Sequence, residues 1–263
     1  MLANFIEYEN TGKYLFIGID VGVTNLGICF ALVHKDFTTV EVHAAKCVNI
    51  NILAHNTIPK SECKLSHTKS GTDKVDHFIQ NFKDLFEKSA HIAMERQPQT
   101  VFPCVLVVQE LLLSAFKHKV NLVQPVSMHK FHGLTGDYES RKKQTEEICT
   151  KYMTESCLAE FKSIFLTRSH DIADSICLLT FRVAQLRKEY LRNIEKEIKE
   201  RAFKKLNGTG TFAYFNKFLY EPKNVNNDHQ SPIKVGVHDK ISKVVVPKRR
   251  NKKIIASKYF IDE

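Results

Sequence analysis

Four acidic residues stand at positions from which a folded chain could gather their carboxylates into one site. Asp20 and Glu95 each end an apolar run typical of a buried strand. Asp171 and Asp174 lie three residues apart at the predicted start of a helix, so both side chains point to one face. Carboxylates gathered in this way repel one another and lose hydration unless divalent cations neutralise them. The four residues therefore predict a metal-binding acidic centre.

The oxygen donors of this centre favour hard cations, Mg²⁺ or Mn²⁺. Two such ions about 4 Å apart activate a water molecule and stabilise the leaving oxygen of a phosphoryl displacement. We therefore expect two ions per site and phosphodiester hydrolysis as the chemistry. Each acid alone also has a structural explanation, as a turn cap, a surface charge or a helix cap beside the helix dipole. Their joint occurrence along the chain favours the metal site.

Strands that would carry the first two acids are predicted from short apolar or alternating runs. Three strands, at 14–20, 26–33 and 38–48, are joined by short turns and predict an antiparallel meander. The polar stretch 49–71 predicts an exposed loop. Further strands are predicted at 91–95 and at 120–125, where Pro125 ends the second.

Helices are predicted from apolar residues that recur at helical spacing. One runs from Val75 to about Lys88, and others span 100–118 and 140–153. A long helix begins near Asp171 and is expected to end at the breaker Asn207-Gly208. The resulting order, βββαβαβαα, predicts an α/β fold in which a mixed five-stranded sheet is flanked by helices.

The amino-acid composition limits the classes of protein to which this chain can belong. The 263 residues are 43% hydrophobic, which predicts a packed core, and no stretch approaches the roughly 20 apolar residues of a membrane span. The N-terminus has no apolar run, so we expect a soluble, intracellular protein. Seven cysteines, an odd number without a C-x-x-C pair, are expected to be small buried hydrophobes and not disulfides or zinc ligands.

The net charge of +10 favours a polyanionic partner. From residue 222 onward ten Lys and Arg face four Asp and Glu, which accounts for +6 of that total. We divide the chain into a domain at 1–206 and a basic C-terminal extension at 207–263. The densest basic cluster is predicted to contact nucleic acid and consists of Lys248, Arg249, Arg250, Lys252 and Lys253.

Three motifs give the acidic residues a family context. Gly18-Ile-Asp-Val-Gly-Val-Thr-Asn-Leu-Gly27, Ile92-Ala-Met-Glu-Arg-Gln-Pro98 and His170-Asp-Ile-Ala-Asp-Ser175 resemble the motifs of RuvC-like Holliday junction resolvases, most of all the poxvirus-type branch of large DNA viruses. The resemblance covers about residues 14–190 in the same order. It implies an RNase H-like fold, a homodimer and two symmetric nicks across a four-way DNA junction, which leave 5′-phosphate and 3′-hydroxyl ends.

The resemblance also assigns roles to residues. Asp20, Glu95, Asp171 and Asp174 fall on the family's four acidic positions. The family has a catalytic lysine in a basic segment, and Arg141-Lys-Lys-Gln-Thr145 looks like that segment. We assign the catalytic role to Lys142, with Lys143 the alternative by one residue of register, and expect Arg141 and Lys143 to contact DNA. The lysine would stabilise the charge that develops on the phosphate in the transition state.

The sequence departs from the family in three places. His170 stands where the viral relatives often carry another acid, and we expect a surface histidine there. The loop at 49–71 and the residues beyond about 207 exceed the compact core of the family. The viral resemblance implies the replication compartment of an infected host cell as the location.

Two other functions remain open at this level. The segment from Gly18 to Asn25 also looks like the first phosphate motif of the actin, Hsp70 and sugar-kinase superfamily, although neither a second phosphate motif nor room for a second lobe is evident. Stabilisation by ATP but not by junction DNA would favour that function. A basic DNA-binding module that no longer cuts is the non-enzymatic alternative, and failure to nick any branched DNA would favour it.

Overall fold

A computed structural model describes residues 12–56, 63–68, 70–163 and 168–208. The chain separates into two units, Met1–Thr209 and Gly210–Glu263. The basic cluster at 248–253 and nearly all of the predicted extension at 207–263 lie outside the described residues. The domain boundary and the role of the extension therefore stay predictions.

A five-stranded sheet lies at the centre of the fold. Its strands are β1 (Lys13–Asp20), β2 (Leu26–His34), β3 (Val40–Val48), β4 (His91–Glu95) and β5 (Val120–Val123). In the sheet they take the order β3-β2-β1-β4-β5. The first three form an antiparallel meander, while β4 runs parallel to β1 and β5 runs parallel to β4. The predicted mixed five-stranded sheet is confirmed.

The described part of the chain holds eight α-helices and a 3-10 turn at Thr150–Tyr152. The helices are α1 (Ile50–Asn56), α2 (Gly71–Asn81), α3 (Lys83–Lys88), α4 (Pro103–Ala115), α5 (Pro125–His132), α6 (Tyr138–Cys149), α7 (Glu155–Ser163) and α8 (Ser169–Gly208). The long last helix is confirmed, and it extends to Gly208, the last residue that the structure describes. α7 has no counterpart among the predicted elements.

Three sequence predictions of local structure are wrong in detail. The exposed loop predicted at 49–71 begins with α1, because Ile50 is only 1% exposed and anchors this helix in the core. The helix predicted through Lys88 is broken at Phe82, whose backbone leaves the helical region while its ring packs 5.5 Å from that of Phe30. Pro125 does not merely end a strand; it starts α5, where its missing amide hydrogen costs nothing.

The two faces of the sheet are covered differently. On one face, large side chains such as Ile17 and Phe30 pack against α2, α3 and α4 through residues that include Phe78 and Leu112. The other face carries smaller residues and is covered by α8. The smaller residues that face the helix are Gly18, Gly27, Cys29, Ala31 and Ala93. The first turns of α8 can therefore lie directly on the strands.

Two glycines allow that close approach. A Cβ atom at Gly18 would lie 2.2 Å from the carbonyl oxygen of Ser175, and one at Gly27 would lie 2.0 Å from that of Asp171. Both distances are far inside van der Waals contact, so any side chain would push α8 off the sheet. Sheet and helix backbones thus meet directly beside the end of β1, which brings the start of α8 to the same place.

The cysteines follow the predicted pattern in large part. All seven are free thiols, and Cys29, Cys149, Cys157 and Cys177 are buried among apolar residues. Cys47 and Cys63 are half-buried, and Cys104 is exposed. Among the described residues, no helix combines the length and hydropathy that a membrane crossing requires.

Candidate active site

The register of the sheet brings Asp20 and Glu95 together. β1 and β4 are parallel neighbours in which Ile19 pairs with Met94, so Asp20 and Glu95 follow one position later at the same sheet end. Each lies two residues after a small residue that faces α8, and side chains alternate along a strand. Both carboxyls therefore project toward α8, and they are hydrogen-bonded to each other.

The first turn of α8 supplies the other two acids. The Asp171 carbonyl lies over Gly27, which is the residue paired with Asp20 across β1 and β2. Asp174 follows on the same helical face, one turn further. All four acids line one cleft of about 250 Å³ at the end of the sheet. The convergence of the four predicted residues is thus a feature of the structure.

Polar neighbours orient two of these carboxylates. The Gln97 side chain donates to Oε2 of Glu95, and the Gln97 backbone amide donates to Oε1 of the buried Gln109 at 2.7 Å. Thr145 is buried, and its hydroxyl faces both the Lys142 carbonyl, at 2.9 Å, and the Asp174 carboxylate. Both acids are therefore held in fixed orientations by side chains from other elements.

Asp171 lies beside a histidine and an arginine. Its Oδ1 is 3.2 Å from Nε2 of His170, and its Oδ2 is 4.0 Å from a guanidinium nitrogen of Arg168. The Sγ atom of Cys47 lies 4.0 Å from the same Oδ2. His170, whose role the sequence left open, is half-buried with its side chain 15% exposed, and it lines the cleft beside Asp171.

Burial and mutual repulsion of the four carboxyls favour the binding of protons or other cations in the cleft. Burial raises the pKa of Asp20 well above its usual range, and the neighbouring Glu95, Asp174 and Asp171 raise it further. Burial also raises the pKa of Asp174 to about 7, against the lowering effect of its hydrogen bond with Thr145. The pKa of Asp171 is raised by burial as well, although His170, Arg168 and Lys142 lower it. Enclosed carboxylates that resist ionisation in this way require a compensating positive charge.

The donor set fits hard divalent cations. The four side chains offer carboxylate oxygens alone, at the wall of a cleft open to solvent, which is the coordination that Mg²⁺ and Mn²⁺ prefer. Protonation would relieve the repulsion in their absence, and a divalent cation would relieve it at neutral pH without a bound proton. The residues present therefore fit such a group.

Basic side chains line the same cleft as the acids. Lys142 on α6 lines the cleft, and its Nζ lies 4.0 Å from the centroid of the Tyr138 ring. A hydrogen bond with Tyr138, more than the charges of Glu139 and Asp171, raises the pKa of Lys142, so the ammonium is charged at neutral pH. Arg141 also lines the cleft, whereas Lys143 is exposed and is not among the lining residues.

Several residues in or beside the cleft were not identified from the sequence. His129 reaches the cleft from α5, and burial, together with the charge of Arg141, lowers its pKa. Gln97 follows Glu95 by two residues inside a quoted motif, and Thr145 follows Lys142 by one helical turn. The positions of Gln97 and Thr145 relative to Glu95 and Lys142 could therefore have identified both residues from the sequence. No such signal existed for His129, because the helix that carries it was not predicted.

No protein-family model matches the chain, and no curated protein sequence matches it. The yeast mitochondrial Holliday junction resolvase Ydc2 is similar in structure, with a TM-score of 0.52 and 19% identity over 70% of this chain and 85% of the yeast protein. A fowlpox virus resolvase, solved with Holliday junction DNA, has a TM-score of 0.45 and 16% identity over 65% and 98%. Thermus thermophilus RuvC has a TM-score of 0.43 and 16% identity over 67% and 97%.

The likeness to the yeast protein shows the fold. The chain has the RNase H-like fold of the Holliday junction resolvases, with its mixed, open five-stranded sheet flanked by helices. The fold that the sequence motifs predicted is confirmed.

Proposed function

We propose that this chain is a divalent-metal-dependent endodeoxyribonuclease that resolves four-way DNA junctions. The convergence of Asp20, Glu95, Asp171 and Asp174 in one cleft carries the proposal, because they come from three segments far apart in the sequence. The fold shared with a yeast resolvase and the three sequence motifs support the same function. Within the described residues there is one such sheet and no second lobe of the kind that the ATP-binding alternative needs.

The four carboxylates would hold two Mg²⁺ or Mn²⁺ ions. When bound, the ions would supply an activated water and stabilisation of the leaving oxygen in an in-line displacement at phosphorus. Gln97 holds the Glu95 carboxylate in place through its side-chain amide, and the Thr145 hydroxyl lies beside the Asp174 carboxylate. Such contacts from neighbouring side chains would help to orient these acids for metal binding.

Lys142 and Arg141 would contact the scissile phosphate. Both are cations that line the same cleft as the four acids, so a phosphate bound at the acidic centre would lie close to them. The Lys142 ammonium, oriented by Tyr138, is the group that we propose to stabilise the negative charge developing on the phosphate oxygens. Lys143 on the outer surface of α6, with the basic residues at 248–253, would contact the DNA backbone outside the cleft.

We further propose that the protein acts as a homodimer. A four-way junction presents two equivalent strands, and two symmetric nicks require two copies of this single cleft related by a two-fold axis. Hydrolysis with the leaving group on the 3′ oxygen gives the proposed 5′-phosphate and 3′-hydroxyl ends. The cell compartment that fits this substrate is that of viral DNA replication in an infected host.

One assay tests the function. The protein is incubated with a labelled four-way junction, a linear duplex of the same sequence and an RNA–DNA hybrid, each with Mg²⁺, Mn²⁺ or EDTA. We expect paired nicks in the junction alone, with either cation and not with EDTA, and products that DNA ligase reseals. Cleavage of the hybrid in preference to the junction would overturn the assignment of substrate.

Further measurements separate DNA cleavage from DNA binding and test the alternative functions. Glu95→Gln should bind the junction and leave it intact, which excludes a contaminating nuclease. Thermal stabilisation by ATP, without stabilisation by junction DNA, would contradict the nuclease assignment. Light scattering or sedimentation in the presence of the junction should give two chains per DNA molecule, and a single chain that still makes paired nicks would contradict the dimer.

A further inference from the structure

A second cluster of metal-ligating side chains lies on the opposite side of the sheet from the acidic cleft. It joins the segment 63–68 to α2, the helix that packs on the face of the sheet away from α8. Its members are Cys63, His67 and His77, and their ligand atoms all lie within 4.8 Å of one another. This set provides one thiol and two imidazoles, a different donor chemistry from that of the four carboxylates.

The spacing of the donors matches tetrahedral coordination. Sγ of Cys63 lies 3.5 Å from Nε2 of His77. A tetrahedral zinc ion with its usual Zn–S and Zn–N bonds would hold these atoms about 3.6 Å apart. The His67 and His77 rings lie with centroids 4.7 Å apart and are tilted by 59°, so their edges can converge on one point.

His77 is oriented for ligation. Its Nδ1 lies 2.6 Å from the backbone carbonyl oxygen of Asp73, which can only accept, so Nδ1 carries the hydrogen. Nε2 is therefore left with its lone pair directed toward Cys63. A ligating imidazole that donates its other ring N–H to a carbonyl is a recurrent feature of metal sites, because that bond fixes the tautomer and the ring plane.

His67 gives the second, independent indication. Both of its ring nitrogens are shielded from solvent and have no hydrogen-bond partner among the described residues. A buried imidazole left without any partner loses the free energy of hydration of both nitrogens. A metal ion between His67 and the other two side chains would satisfy one of these shielded nitrogens directly.

The surrounding contacts hold the two parts of the cluster together. The Asp73 carboxylate accepts hydrogen bonds from the backbone amide and the hydroxyl of Thr68, one residue beyond His67. The same residue offers its carbonyl to His77. The first turn of α2 thus fixes both histidines, and the Ser70 side chain caps this turn through the Asp73 amide.

We propose that Cys63, His67 and His77 bind a Zn²⁺ ion that fastens the segment 63–68 to α2. One thiolate and two neutral imidazoles are borderline-soft donors that favour Zn²⁺ over Mg²⁺ or Mn²⁺. Binding forms a Zn–S bond and releases the thiol proton to solvent. The described residues supply three donors, and water or a further donor takes the fourth position. The site is independent of the proposed nuclease function, which rests on other residues.

The test uses the full chain purified without chelators. We expect roughly one zinc per chain by elemental analysis, retained through dialysis against Mg²⁺. After replacement by Co²⁺, a sulfur-to-cobalt charge-transfer band in the near ultraviolet and visible bands of tetrahedral intensity should appear. Both the zinc and the charge-transfer band should be lost in Cys63→Ser and in His77→Asn.

Matched cysteine variants serve as controls. Cys47→Ser removes the thiol beside Asp171, and Cys104→Ser removes an exposed thiol; both should keep the zinc and the cobalt bands. If the charge-transfer band survives in Cys63→Ser, or if wild-type protein neither contains zinc nor gives the band with Co²⁺, the proposal is overturned. Because the wild-type measurement stands alone, a variant that misfolds does not obscure the result. Junction cleavage by the same wild-type preparation reports on the nuclease function separately.

Discussion

The acidic cleft and the Cys/His cluster are built in opposite ways. The cleft takes its acids from β1, β4 and α8, whose residues 20, 95 and 171–174 are far apart in the sequence. The Cys/His cluster takes its donors from fifteen consecutive positions, 63–77. The first is therefore positioned by the global fold, through strand register and helix packing. The second is positioned by one helix and the segment immediately before it.

The two sites also differ in their donor atoms and in the residues that surround them. The cleft opens to solvent, presents carboxylate oxygen atoms and is also lined by Arg141 and Lys142, which fits the polyanionic substrate that we propose. The Cys/His cluster holds its nitrogen and sulfur donors between two parts of the chain, with His77 buried and Cys63 half-buried. We expect the open acidic centre to serve chemistry and the Cys/His cluster to serve stability. Substitution of the acids in the cleft should thus remove cleavage activity. Substitution of the Cys/His cluster should instead reduce the local order of the segment 63–68.

The largest effect is expected from the acids at the strand ends. Asp20→Asn and Glu95→Gln each remove a carboxylate from the predicted two-ion site while they keep size and hydrogen bonding. We expect junction cleavage to fall on the order of 10³-fold or more. Binding should persist or tighten, because a negative charge near the phosphate is removed. Single-turnover cleavage and gel-shift titration of the same protein measure the two quantities.

These variants also separate the two centres. The cobalt charge-transfer band assigned to the Cys/His cluster should be unchanged in both. Loss of cleavage and binding together, with a lower melting temperature, would mean that the carboxylates are structural.

The lysine pair on α6 offers a sharper comparison within the cleft. Lys142 lines the cleft and Lys143, its neighbour, is exposed. Lys142→Ala should lower the cleavage rate by roughly 10²- to 10³-fold at saturating protein. Lys143→Ala should reduce affinity modestly and lower the salt dependence of binding, with cleavage of bound junction unchanged. If the two variants exchange these effects, the catalytic role belongs to Lys143.

Glycine positions test whether packing of α8 against the sheet creates the cleft. An alanine at Gly27 meets the Asp171 carbonyl at 2.0 Å and must move the first turn of α8. We expect a loss of about 1–3 kcal/mol in unfolding free energy, and cleavage should fall as Asp171 is displaced. The control is Gly133→Ala, which meets no atom within 4 Å and has only its positive φ of 68° to accommodate. Chemical denaturation measures the stability of both variants, and cleavage assays measure their activity. Equal losses in the two variants would contradict the role of Gly27 in the packing of α8.

The acids of the cleft were predictable because each coincides with a strong local signal. An apolar run ends at Asp20, another ends at Glu95, and the periodicity of the last helix begins at Asp171. Parallel pairing of β1 with β4 then places the first two side by side. The small residues Gly18 and Gly27 lie inside the first motif, but their role in the approach of α8 becomes visible only when the helix is in place.

Other parts of the molecule carry weaker signals. α5 brings His129 to the cleft, yet its eight residues give too short a periodicity, and Pro125 at its start reads equally well as the end of a strand. The Cys/His cluster has irregular spacing without a C-x-x-C pair, so the cysteines were predicted to be buried hydrophobes. That prediction holds for four of the seven, which are buried, and it gives no account of the histidines beside Cys63.

The raised pKa values in the cleft predict how metal-free protein responds to pH. Asp174 has a pKa of about 7 when folded, above its usual value of 3.8, so the folded state binds the proton more tightly than the unfolded state. This contribution to stability is fully present below about pH 4 and is lost as the pH rises through about 7. In EDTA the protein should be less stable at about pH 8 than at about pH 6, by urea denaturation.

Two controls assign that effect to the cleft. Asp174→Asn cannot ionise and should reduce the loss of stability between the two pH values, while other titrating groups remain. Mg²⁺ at about 100 times its dissociation constant should restore about 2.7 kcal/mol at the higher pH. An unchanged pH dependence in Asp174→Asn would show that its carboxyl is not enclosed as described.

The smallest effect on cleavage is expected from the Cys/His cluster, and it completes the comparison. Cys63→Ser should leave the rate of junction cleavage at 25 °C unchanged within about two-fold, because the cluster lies across the sheet from the cleft. It should lower the melting temperature by several degrees and increase proteolysis near residues 63–70, since the segment loses its attachment to α2.

Cys104→Ser is the matched control and should change neither quantity. Zinc added to Cys63→Ser should not restore the melting temperature, whereas zinc returned to chelated wild type should. A large loss of cleavage in Cys63→Ser at full folding would show that the two centres are coupled through the sheet.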